Sequence, residues 1–264
     1  MGFRNAWTYS FLLLLTIFLI TVLLMETFVG NIEGYTNRTG SIMNMTLYLL
    51  PLITLLLGGF SASVEKENGQ WGLLATYPIT SHQFLIGKWL GLVVILLTIL
   101  FFSFGITGII TVLFGKEISL QTLLFFWGFS ILLAIVYLSI ATLIGAIAKN
   151  RWQALIGAIT VWFVTVVIWP LLMISSMSML PSYQLVQPTL QILTLANPAE
   201  LIRVFAIVRM GAGSMFGATY HEWITWVQGS SGLMTFIGII SAWIIISLGI
   251  GGWLWKRGEQ NGTS

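Results

Sequence analysis

Charge in this chain is confined to short breaks between long apolar runs, and that pattern fixes the class of fold. Six stretches are apolar over about 20 residues or more, the length a helix needs to cross a bilayer. They lie at approximately 6–27, 42–64, 89–115, 119–148, 152–175 and 232–255. The chain is 57% hydrophobic and only 7% charged, whereas soluble domains run at roughly 45–50% apolar and 25% charged. A soluble fold of 264 residues would not hide so much apolar surface. The expected fold is therefore an all-α integral membrane protein, residues 1–264 forming one transmembrane domain of six helices. The apolar run at the start continues past Ile20 with no small-residue cleavage site after it, so it reads as a span that stays in place. Pro51 and Pro170 fall inside spans. Kinks there are tolerable where neighbouring helices satisfy the freed carbonyl. The spans are apolar all round, so periodicity does not separate lipid-facing from buried sides.

An even number of spans puts both termini on one side. That side holds Arg4, Lys66, Lys88, Lys149, Arg151, Lys256 and Arg257, with Glu65, Glu67 and Glu259 against them. The other side holds Arg38, Lys116, Arg203 and Arg209 against Glu26, Glu33, Glu117, Glu200 and Glu222. Basic residues close to span ends mark the cytoplasmic face. Both termini and the 65–88 connection are thus expected in the cytoplasm of a cell whose inner membrane holds the chain. Trp89, Trp152, Trp169, Trp253 and Trp255 fall near span ends, as an aromatic belt would.

The longest connection, 176–231, then lies on the outer side. Within it Asn197, Pro198 and Glu200 read as a helix start, with the cap, the first-position proline and the acidic third residue in order. The helix would run through Leu201, Phe205 and Val208 to a stop at Gly211. Arg203 and Arg209 flank its apolar residues, which suits a helix lying at the outer interface.

Chemistry is excluded more readily than assigned. The small net charge of +3 is dispersed, with no basic tract for nucleic acid. No cysteine exists, so thiolate metal sites and disulfides are out. Gly87-Lys88-Trp89 lacks the upstream glycine and the following Ser or Thr of a phosphate loop, so no nucleotide site is expected. His82 and His221 fall on opposite sides of the membrane, and Thr80-Ser81-His82-Gln83 resembles a capping box at a solvated helix start. No acidic residue falls at the middle of any span, which argues against ion-coupled transport. Met173, Met177 and Met179 cluster at the outer end of the fifth span. Thioethers select copper(I), but irregular packing is the plainer reading, and no metal or catalytic site is assigned.

The densest charged segment is Glu65 to Pro78, and there Trp71, Leu73 and Leu74 add an apolar face. The pattern Glu65-x-Glu67-x-Gly69-x-x-x-Leu73-Leu74-x-x-x-Pro78, followed by Phe84-x-x-Gly87-Lys88, resembles the signature of type-2 ABC exporter permeases (type V transmembrane domains). In that family the connection between the second and third spans forms a coupling helix that docks on an ATPase. The resemblance implies ATPase-coupling roles for Glu65, Glu67, Gly69, Trp71, Gly72, Leu73, Leu74, Tyr77, Pro78 and Lys88. Phe3-Arg4-Asn5-Ala6-Trp7, with Leu195 to Arg203 in the outer connection, is similar to permeases of the NosY type. Those accompany an ATPase and a periplasmic protein in maturation of the copper enzyme nitrous-oxide reductase. One departure stands out: Arg4 leads almost directly into the first span, where the family usually carries an amphipathic elbow helix.

The resemblance implies a permease subunit without enzymatic activity. It would work as two copies with two ATPase subunits that bind ATP and Mg, with membrane lipid around it and an extracytoplasmic accessory protein above. A generic exporter of a drug, peptide or lipid is the neighbouring alternative. A membrane enzyme or scaffold without energy coupling is the third, and it would need convergent polar groups that the spans scarcely offer.

Overall fold

A computed structural model describes Ile17 and residues 37–67, 80–113, 120–179, 183–213 and 221–261. Among the described residues every regular element is helical. The elements are α1 (Asn37–Glu67), α2 (Ser81–Leu113), α3 (Leu120–Ile147), α4 (Arg151–Trp162), a π-helical turn (Phe163–Ile168), α5 (Trp169–Met179), α6 (Tyr183–Ala196), α7 (Pro198–Arg209), α8 (His221–Gln228) and α9 (Ser230–Asn261). Five segments are long and apolar enough to cross a membrane: Gly40–Val64, His82–Ile110, Leu120–Ile147, Arg151–Ser176 and Ser230–Lys256. The fourth of these joins α4, the π turn and α5 into one rod. The chain is a multi-pass membrane protein. The span expected at 6–27 lies outside the described residues except for Ile17, which is helical and exposed.

Local chemistry places the helix starts. Gln83 N–H donates to Thr80 Oγ1 at 3.3 Å while Thr80 N–H donates to Gln83 Oε1 at 3.0 Å, the reciprocal pair of a capping box. Helix α2 therefore begins at Ser81, eight residues ahead of the apolar run from Trp89, and His82 and Lys88 are helical. Asn150 caps α4 by accepting from Gln153 N–H at 2.9 Å. Helix α1 likewise continues beyond its apolar run, so Glu65 and Glu67 form its last turn.

Helix α3 is the centre of the bundle, packed by α1, α2, α4, α7 and α9. In the most apolar 18-residue stretch of its span 72% of the residues are buried, against 11% for the corresponding stretch of Arg151–Ser176 and 17% for that of Ser230–Lys256. Those two peripheral spans turn large apolar side chains such as Ile156, Ile174 and Ile245 outward. Lipid is as apolar as leucine, so helix association here rests on close packing and hydrogen bonds. Small residues provide the closeness. A Cβ on Gly58 would sit 2.5 Å from the Ala141 Cβ, and one on Gly145 would overlap Ala62. Gly58 and Ala62 of α1 thus face Ala141 and Gly145 of α3, two small-x-x-x-small pairs meeting face to face.

Two expectations change. Trp255 is not part of an interfacial belt: it is 1% exposed and lies 5.7 Å, centroid to centroid, from Phe84. Trp152 and Trp253 are exposed in the way a belt requires. The 176–231 connection holds more helix than the one expected at Pro198. Helices α6 and α7 form a bent pair that turns by 112° around Asn197, either a broken span or a re-entrant hairpin. Nine of the 12 residues of α7 are buried. The helix is apolar nearly all round, and such helices bury themselves in protein.

Gly145→Ala is therefore expected to lower stability although alanine favours helix, because overpacking typically costs about 1–3 kcal/mol. Gly238, with open space where a Cβ would point, is the control, and Gly238→Ala is expected to be neutral or stabilising by about 0.5–1 kcal/mol. Thermal unfolding of the two variants in the same detergent checks the contrast.

Candidate functional site

Two regions gather polar side chains. The first is the end of the bundle that brackets residues 68–79. Glu67 closes α1, and its Oε2 accepts from Arg151 Nε of α4 at 2.9 Å. Both side chains are about half exposed, 43% and 50%, so the pair contributes at most about 1 kcal/mol. Its value is geometric: it fixes the last turn of α1 against the first turn of α4. Lys88, one side of α2, donates through Nζ to the Ser61 carbonyl of α1 and lies 5.9 Å from the Phe84 ring. Phe84 in turn rests on Trp255 of α9. Gly252 leaves the space that the His82 ring fills, since a Cβ there would overlap the imidazole. Four helices are thus locked together around the two ends of one connection.

Glu67 and Lys88 are the two sequence-predicted coupling residues whose side chains the structure places, and both face other helices of the same chain. Glu65 belongs to the last turn of α1, though its side chain falls outside the described residues. Gly69, Trp71, Gly72, Leu73, Leu74, Tyr77 and Pro78 also fall outside them. Glu67 ends α1 and is engaged by Arg151.

The second region is the elbow of the α6–α7 hairpin. Asn197 caps α7 through Oδ1, which accepts from Ala199 N–H at 2.9 Å and Glu200 N–H at 3.5 Å. Pro198 occupies the first helical position, and the helix stops where Gly211 takes φ +80°. Glu200 is buried and accepts from Arg203 one turn on, as a carboxylate inside a membrane protein requires. Arg209 sits 5.1 Å from the Phe205 ring, which stacks on Phe236 of α9 at 3.9 Å.

Asn197 has a second bond that sequence reasoning missed. Its Nδ2 donates at 2.7 Å to the Thr165 carbonyl in the π turn. Pro170 explains why that carbonyl is free. The Trp169 N–H reaches back five residues to the Val164 carbonyl, and the residue five beyond Thr165 is Pro170, which has no N–H. Tyr137 of α3 donates to Thr165 Oγ1 at 2.9 Å, and Thr165 Oγ1 donates to the Val161 carbonyl at 2.8 Å. Trp169 Nε1 donates to Leu193 O at 3.0 Å, satisfying one of the last four carbonyls of α6. The only sequence signal was Pro170 itself, with its demand for a partner from elsewhere.

Among the described residues no group of three His, Asp or Glu side chains could hold a metal ion. Of the three outer methionines, Met173 is half-buried, and the side chains of Met177 and Met179 lie outside the described residues.

Comparison with known proteins identifies the family. The ABC-2 family transporter protein model matches residues 7–259. A probable ABC transporter permease protein NosY of Pseudomonas aeruginosa is 28% identical over 223 residues, covering 82% of this chain and 81% of that protein. The protein of the same name from Stutzerimonas stutzeri is 28% identical over 226 residues, with the same coverage. The chain belongs to the ABC-2 family of transporter permeases.

Proposed function

We propose that the chain is the membrane subunit of an ATP-driven transporter, working as two copies moved by two copies of a separate ABC ATPase. Nucleotide and Mg bind the ATPase, and residues 65–88 carry the contact with it. The observation that supports this most is the bracing at the ends of that connection. A solvated linker needs no fixed ends, whereas a lever does. Glu67–Arg151, Lys88–Ser61 and His82–Gly252 tie both ends to α1, α4 and α9, so force on the connection reaches several spans at once. The bracing end is proposed to face the cytoplasm, where the excess of Lys and Arg belongs, with the hairpin on the outer side of the inner membrane.

Likeness to NosY-named permeases over four-fifths of the chain favours a role in copper-site maturation of nitrous-oxide reductase, with an extracytoplasmic accessory protein as a further partner. Export of a drug, peptide or lipid is the competing outcome in a transport assay with the purified complex.

Apolar anchors at an interface commonly cost about 2 kcal/mol or more when truncated. Leu73→Ala with Leu74→Ala is expected to weaken ATPase binding about tenfold or more with membrane expression unchanged, measured by co-purification with the ATPase. Undiminished co-purification and transport would leave the segment a solvated connector. For the orientation, the cysteine-free chain allows single cysteines at positions 66 and 209, which are expected to react with a membrane-impermeant maleimide from opposite sides. Labelling of both from the same side would overturn the topology.

A further inference from the structure

We infer that Asn197 selects the π register of the Arg151–Met179 rod, and so sets the rotation of its outer half, α5, against its inner half, α4. Pro170 leaves one carbonyl without a helical donor in either register. In an unbroken α-helix that carbonyl is Val166, four residues back, and the Trp169 N–H bonds Thr165. In the π register the Trp169 N–H goes to Val164, as the structure has it, and Thr165 is left open. The Asn197 Nδ2 bond at 2.7 Å is available only when Thr165 is open, so it stabilises the π register alone.

The two registers differ by one residue, which is about 100° of rotation and about 1.5 Å of rise for everything beyond the turn. The inner side is anchored, because Thr165 Oγ1 is held by Tyr137 of α3 and bonds Val161. The outer side is tied to the hairpin, because Trp169 bonds Leu193 of α6. Withdrawal of the elbow returns the Thr165 carbonyl to Trp169, turns α5, and carries the Trp169 indole away from Leu193. The hairpin and the rod therefore change state together, as a discrete two-state element. One side chain holds both jobs: Oδ1 caps α7 and Nδ2 latches the π turn. That the turning opens and closes a transport path rests on the permease function proposed above.

The 264-residue chain contains no cysteine, so nitroxide labels can be placed singly at positions 171 to 175 in lipid vesicles. Collision with dissolved oxygen then reports exposure at each site. Met173 is half-buried while Leu171, Leu172, Ile174 and Ser175 are exposed, so the minimum is expected at 173. Asn197→Ser keeps a capping oxygen but is too short to reach the Thr165 carbonyl. Removing the extra residue of the π turn brings each site to the position its successor held, so the minimum is expected to move to 172. Pro170→Ala in the Asn197→Ser background supplies an N–H that serves either register and removes the ring's clash with the Val166 carbonyl in the α register, so the same move is expected in a better-folded protein. A minimum that stays at 173 in both variants, with or without a lower melting temperature, overturns the inference. A move to 172 in a chain that never co-purifies with an ATPase upholds the register and sinks the transport reading.

Discussion

A backbone group inside a membrane has no water to turn to, and each one left unpaired costs several kcal/mol. That constraint organises this protein more than any single contact. Straight helices satisfy it internally, so the places where they are interrupted decide how the chain is joined. Pro51 lies inside α1 and leaves the Leu47 carbonyl without its helical donor, and one residue further on the Tyr48 carbonyl accepts from Trp162 Nε1 of α4 at 2.7 Å. Pro170 interrupts the rod, and Asn197 supplies the donor. Helix α6 ends inside the fold, and Trp169 covers one of its last carbonyls. Indole and carboxamide donors therefore stitch the interruptions together, while the small-residue stripe of α1 and α3 holds the uninterrupted stretches.

The division of labour between the two ends of the bundle follows from the same economy of polar groups. At the Glu67 end the Glu67–Arg151 pair is half exposed and weak as a source of stability, yet it orients helix ends. At the hairpin the Glu200 and Asn197 side chains are buried and paired. Glu200 has Arg203, and the Asn197 side chain bonds in two directions. A force applied at the first end meets α1, α2, α4 and α9. The rod that begins with Arg151 carries it directly to the π turn, 14 residues on, or roughly 21 Å at the usual helical rise.

Much of this was legible from residues alone, for reasons that differ by element. The apolar runs announce helices because bilayer thickness sets their length, and five of them coincide with helices long and apolar enough to cross. The capping box at Thr80 and Gln83 and the start at Asn197 and Pro198 are local, closing over three residues, and so could be read directly. What escaped is non-local. Asn197 and Thr165 are 32 positions apart, and nothing in either neighbourhood names the other. Trp255 looked like an interfacial indole because its sequence position is terminal, but the glycines before it let α2 approach closely. Burial of α7 was hidden because Arg203 and Arg209 suggested a wet face, whereas one is paired with Glu200 and the other lies over Phe205.

The brevity of α6 and α7 has a consequence for biogenesis. At 14 and 12 residues they reach about 21 and 18 Å, short of the roughly 30 Å hydrocarbon core. Neither can be inserted as an independent span, and the elbow between them carries an amide side chain that lipid does not satisfy. Its partner carbonyl is open only once the rod has formed its π turn, and the Phe236 ring that stacks on Phe205 belongs to α9, which is synthesised after the hairpin. The bent pair therefore reaches its full set of partners only after α9 has been made.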